Sequence, residues 1–172
     1  TFIWSLIVAV AVGLVFSVAW STLHRRLVSA RWTAPSYRLL AAGTLASAFL
    51  VRLVTLLTVA PTRTDGGDPL FYHTTANLLA RGFGFPEPLN FIAHQRFIPS
   101  ALHGPLYPVV LSASSRLGGT TWFDHKFLSL LIGTALVGMV GLVARKVSPP
   151  ENAAGISLLA MLLAAIYPNL WL

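Results

Sequence analysis

Cysteine is absent from this chain of 172 residues, which excludes disulfides, thiolate metal sites and cysteine nucleophiles. Acids are nearly as scarce, with 5 Asp and Glu against 12 Lys and Arg. Charged residues make up 10% of the chain, against about a quarter in soluble domains, while 55% is hydrophobic and the mean hydropathy is +0.72. Such a composition suits lipid as the solvent, and a lipid bilayer is the first partner it implies. The net charge of +7 would suggest nucleic acid in a soluble protein. Here the basic residues flank apolar runs, so the positive-inside rule accounts for them and no nucleic-acid partner is expected. A signal peptide is not expected either, because the first apolar run has its charges after it rather than before. The chain begins with Thr1 and its last run stops at Trp171-Leu172, so it is expected to be a piece of a longer polypeptide, with the remainder beyond Leu172 as a structural partner.

Four apolar runs approach the roughly 20 residues that cross a bilayer. They are Phe2–Leu23, Leu39–Ala60, Phe127–Ala144 (extendable to Trp122) and Ala153–Leu172. A fifth, Pro105–Leu117, is about a dozen residues long and contains Arg116, which suits an interfacial or re-entrant helix. Arg25, Arg26, Arg31 and Arg38 lie between the first two runs with no acid among them, so that loop is expected inside. Asp65 and Asp68 then emerge outside, and Arg145-Lys146 returns inside. That return needs an odd number of crossings, so Pro105–Leu117 should lie along the outer surface.

The expected fold is an all-α membrane protein, a multi-span helical bundle with an outer loop carrying juxtamembrane helices. Its parts are an extra N-terminal transmembrane helix (1–23), a cytoplasmic basic loop (24–38), a transmembrane helix (39–60), a first outer loop (61–121), a transmembrane helix (122–144), a cytoplasmic loop (145–152) and a transmembrane helix (153–172). Within the outer loop, Tyr72, Ala76 and Leu79 recur at helical spacing, with Gly82 as the stop. Phe83, Phe85, Phe91 and Phe97 alternate with Gly, Pro and polar residues, as in a loop resting on a membrane surface. No internal repeat or low-complexity tract is present.

Chemistry concentrates in Asp65-Gly66-Gly67-Asp68-Pro69-Leu70-Phe71-Tyr72, where two of the few acids sit at the expected membrane surface. A carboxylate there can act as a general base on a group that meets it at the lipid–water boundary. The plainer reading is a solvated turn with Asp68 as the N-cap of the next helix.

Three pieces in order resemble the N-terminal part of the GT-C glycosyltransferases, in particular the bacterial relatives of protein O-mannosyltransferases and of lipid A aminoarabinose transferases. They are Gly67-Asp68-Pro69-Leu70-Phe71-Tyr72, Ala76-Asn77-Leu78-Leu79-Ala80-Arg81-Gly82-Phe83-Gly84-Phe85 and His103-Gly104-Pro105-Leu106-Tyr107-Pro108. The resemblance covers about Arg38 to Leu172 and leaves the first span unmatched. It implies a GT-C-like fold and an inverting transfer of sugar from a polyprenyl-phosphate-linked donor to an acceptor hydroxyl. It further implies a multi-pass protein of the bacterial plasma membrane with its site on the outer face. By the same resemblance Asp68 is the catalytic base. Many members have Asp-Glu where this chain has Asp68-Pro69, which leaves Asp65 as the candidate second carboxylate.

A leaving phosphate needs cations or hydrogen-bond donors, for which Arg52, Arg96 and His103 are the candidates. Arg52 lies about 12 Å inside the outer end of its run by helical rise. Its alternative is snorkelling to the surface. Tyr72 and His73, on the helix after Asp68, are expected to line the same site. His94 is unplaced, His24 belongs to the basic cluster, and Asp124-His125-Lys126 is expected to mark the start of the third span in a structural role. The sequence specifies no cofactor. No tight ligand spacing supports a metal, although a divalent cation stays open because some distant GT-C enzymes use one. Two other functions compete: a transporter or channel segment, which should carry ionisable residues in several spans where only Arg52 qualifies, and a non-catalytic membrane assembly subunit packed through Gly133, Gly138 and Gly141.

Overall fold

The computed structural model describes residues 22, 33–58, 67–99 and 103–167. Among these the regular structure is entirely helical: α1 (Ala34–Thr58), α2 (Asp68–Ala80), α3 (Pro88–His94), α4 (Leu106–Arg116), α5 (Trp122–Val147) and α6 (Ala153–Ile166). The first expected span apart from Thr22, together with Arg25, Arg26, Arg31, Asp65 and Trp171, lies outside the described residues. α1 and α5, of 25 and 26 residues, are long and apolar enough to cross a membrane.

Their ends follow local chemistry. α1 starts five residues before the expected boundary at Leu39 because Thr33 forms its cap, with Thr33 Oγ1 accepting from the Ser36 amide and Pro35 suiting the first turn. α5 opens on a capping box: Asp124 Oδ2 accepts from the Thr121 amide at 2.9 Å, and Thr121 Oγ1 accepts from the Asp124 amide at 3.2 Å. It closes beyond Ala144, so that Arg145 and Lys146 sit in its last turn, where the helix dipole favours cations. α6 closes at Ile166, short of the expected end at Leu172. Tyr167 precedes Pro168, and the proline ring drives the residue before it out of the helical region, here to φ −71° and ψ 115°.

Among the described residues the chain divides into two units, one built from those up to Ala48 and from Thr134 on, the other from those between Phe49 and Gly133. In the first, Ala48, Val137, Met161 and Ala164 form the core. Gly141 lets α5 and α6 approach closely, since a Cβ there would stand 2.4 Å from Met161 Cγ. Ser157 Oγ donates to the Gly141 carbonyl at 2.7 Å; its only proton being used, it accepts from the Tyr37 hydroxyl at 3.0 Å. The Arg145 guanidinium caps the Tyr37 ring at 4.4 Å.

The second unit holds α2, α3 and α4. α2 buries Phe71, Thr75, Ala76 and Leu78, and α4 buries Pro108, Leu111, Ser112 and Ser115, each a helical stripe. Both helices end in Schellman motifs. After α2 the Gly82 and Phe83 amides donate to the Leu79 and Leu78 carbonyls; after α4 the Gly118 and Gly119 amides donate to those of Ser115 and Ser114. Gly82 and Gly118 take φ of 86° and 96°, the left-handed region this motif requires. The expected stop at Gly82 is thus present. α3 is held in a loop closed by an antiparallel bridge between Pro86 and Pro99, and Glu87 caps it by accepting from the Leu89 and Asn90 amides.

Candidate functional site

Asp68 is the first residue of α2, preceded by Gly67 at φ 82° and ψ −149°, a conformation open only to glycine. Gly67, not Asp68, occupies the N-cap position, and no side chain caps this helix, so the capping reading of Asp68 is corrected. Its carboxylate is 68% exposed and stands 3.5 Å from His103 Nε2, an ion pair when His103 is protonated. The His103 ring is held at the edges of Phe71 and Tyr72, with centroids 4.3 and 5.3 Å away. Tyr72 in turn meets Tyr107 edge-on at 5.0 Å. His103, distant in the chain, is therefore brought beside Asp68 and Tyr72 of one helix.

The other candidates are not part of this group. Arg52 is 1% exposed, so burial within the protein replaces snorkelling, and its guanidinium does not line an open surface. Arg96 is exposed in the segment after α3, among the exposed side chains of Ile92, Phe97 and Ile98. Asp65 lies outside the described residues. No group of three or more His, Asp or Glu that could hold a metal occurs among the described residues.

His73 belongs to a second cluster. Its Nδ1 is 3.0 Å from Nδ1 of His125, its ring stacks on Trp122 at 4.1 Å, and its Nε2 is 3.3 Å from Asn77 Nδ2. Ser115 Oγ donates to Asn77 Oδ1 at 2.8 Å and lies 2.8 Å from His125 Nε2. Asn77 Nδ2 also donates to the Thr120 carbonyl at 3.1 Å. Burial first, and the neighbouring His125 second, depress His73 from its ordinary value to about 4. Beside this cluster is a cleft of about 470 Å³ lined by His73, Thr74, Asn77, Arg81, Phe83 and Gln95, among others.

His125, Ser115 and Asn77 are polar residues that the sequence reading did not single out for a site. The spacing of His73 and Asn77, four apart on one helix face, was the one local signal available. Ser115 and His125 needed the packing of α4 and α5 to declare themselves. Comparison of the chain with family models, curated proteins and solved structures finds no match.

Proposed function

We propose that this chain is the N-terminal part of an inverting GT-C type membrane glycosyltransferase, using a polyprenyl-phosphate-linked sugar on the outer face of a bacterial plasma membrane. The observation that carries this reading is the Asp68–His103 pair: an open carboxylate 3.5 Å from an imidazole that aromatic rings hold in place. Asp68 takes the proton of the acceptor hydroxyl as that oxygen bonds to the anomeric carbon. The bond from that carbon to the lipid phosphate breaks, and its electron pair leaves with the phosphate. With no capping hydrogen bond to make, the Asp68 carboxylate is available to an acceptor. His103, when protonated, balances charge on that carboxylate or on the departing phosphate. Tyr72 and Tyr107 offer flat apolar faces beside it.

Support for the membrane setting comes from the outer faces of the two long helices. α1 buries Tyr37, Ala48, Arg52 and Leu56 along one stripe and exposes Leu40, Leu50, Val51, Val54 and Leu57. α5 likewise exposes Leu131, Ile132, Leu136, Met139, Leu142 and Val143. Helices of this length with apolar exposed faces fit a hydrocarbon surround. In a multi-span bundle so oriented, Asp68 and His103 face outward and Arg145-Lys146 inward.

Asp68→Asn keeps size and most hydrogen bonding while removing basicity. Turnover with a lipid-linked sugar, measured on the full-length membrane protein, should fall by about two to four orders of magnitude with protein level unchanged. Near-normal turnover by this variant would remove Asp68 as the base.

A further inference from the structure

The hydrogen bonds around His73 close into a ring with a determined direction. The Thr120 carbonyl can only accept, so it fixes the Asn77 amide with its NH2 toward Thr120 and its Oδ1 toward Ser115. Ser115 has one proton and gives it to Asn77 Oδ1; toward His125 it must accept, which puts a proton on His125 Nε2. A neutral His125 then has a bare Nδ1, which accepts from Nδ1–H of His73. Nε2 of His73 is left bare to accept the second Asn77 amide proton. Each of the four side chains donates one bond and accepts one around the ring.

We propose that His73, Asn77, Ser115 and His125 form a one-way hydrogen-bonded ring that acts as an acid-operated latch, holding α2 and α4 onto the first turns of α5 and releasing when a proton enters it. An added proton breaks the ring: on His73 Nε2 it meets the Asn77 amide hydrogens, and on His125 Nδ1 it meets the His73 N–H, although the Gly119 carbonyl favours charge on His125. Ser115 and His125 are buried and Trp122 covers one face of His73, so water reaches the ring only from the cleft beside His73 and Asn77.

Burial outweighs the relief that the charged groups around the ring give His125. Just past the end of its own helix, the cation Arg81 shares the cleft with His73. α5 brings Asp124, engaged by Thr121 yet favouring a proton on His125, and Lys126, which lies over the Trp122 ring at 5.8 Å. On α4, Arg116 is exposed beside Ser115, and Tyr107 is bonded to Ser129 at 2.6 Å; the segment after α3 brings uncharged Gln95 to the cleft, with His94 exposed.

The sign follows from proton linkage. A state with α2 released regains ordinary imidazoles near pH 6.5 and binds protons that the closed ring refuses. The latch is therefore strongest above that pH and weakens as the pH falls toward about 4, where His73 titrates in place. Because Asp68 begins α2, release also frees the Asp68–His103 pair.

The test uses the intact protein in lipid nanodiscs with 15N-labelled histidine. Long-range proton–nitrogen correlations at neutral pH should find opposite tautomers, His73 carrying its proton on Nδ1 and His125 on Nε2. Amide exchange, corrected for its intrinsic pH dependence, should show protection across residues 71–80 falling by about tenfold or more from pH 7 to 4.5. Protection across 153–166 should hold steady. The His73→Gln/His125→Gln double variant should lose that pH dependence. Identical tautomers, or α2 protection independent of pH, would overturn the latch. Both readings are made on the unaltered protein, so they decide even where the double variant fails to fold. Loss of turnover in Asp68→Asn bears on the reaction and leaves the latch untouched.

Discussion

Ser115 shows how much a single hydroxyl can organise. It is 7% exposed and is both the donor to Asn77 and the acceptor from His125, so a residue without a hydroxyl leaves a partner unpaired. Ser115→Ala removes the smallest group in the ring, and alanine suits a helix. It nevertheless strands a buried N–H on His125 and leaves Asn77 Oδ1 without its donor. The expected loss is about 1–3 kcal/mol, the cost of unsatisfied buried polar groups. Denaturant unfolding in mild detergent, followed by near-ultraviolet dichroism of Trp122, measures it. Ser36→Ala, at an exposed hydroxyl whose partners are local to the Thr33 turn, should change stability far less.

Among the helices, length and close approach decide the roles. α4 has 11 residues and so extends about 16 Å, roughly half a hydrocarbon core, and it buries a stripe against α2. That length is too short to carry the chain across. α5 and α6 meet through Gly141, where an added methyl would stand 2.4 Å from Met161 Cγ and 2.6 Å from its Sδ. Gly141→Ala gains about 1 kcal/mol of helix propensity in isolation. The contact should reverse the sign, because overpacking typically costs about 1–3 kcal/mol. A lowered midpoint for Gly141→Ala, beside a smaller or opposite shift for Gly43→Ala, which has open space around it, is the expected pattern in thermal unfolding.

For the whole molecule the proposal reduces to a sidedness. The absence of cysteine from these 172 residues makes it directly measurable, because an introduced thiol is the only one within them. Gln95→Cys, in the exposed segment after α3, should react with an impermeant reagent applied to the outer side of intact cells. Glu151→Cys, in the turn between α5 and α6, should react only after the membrane is opened. The reverse pattern would invert the orientation read from Arg145 and Lys146, and with it the side on which Asp68 works.

Composition and run length alone determined the helical class, the two long apolar helices and the glycine-stopped helix after Asp68. These depend on solvent preference and on near-neighbour backbone geometry, both of which are written locally. The cap at Thr33 and the stop at Tyr167-Pro168 were equally local, though they needed attention to single residues rather than to hydropathy. Asp68 stood out because carboxylates are rare here, but its role beside His103 depended on packing through Phe71 and Tyr72. Arg52 was legible as a cation in an apolar run, whereas its burial was not. The ring of His73, Asn77, Ser115 and His125 was decided wholly by tertiary structure. Its members come from three helices, and the direction of its protons depends on the Thr120 carbonyl reaching Asn77 across 43 residues. Hydrogen-bond direction is a property of groups within about 3 Å of one another, and only the folded chain brings these that close.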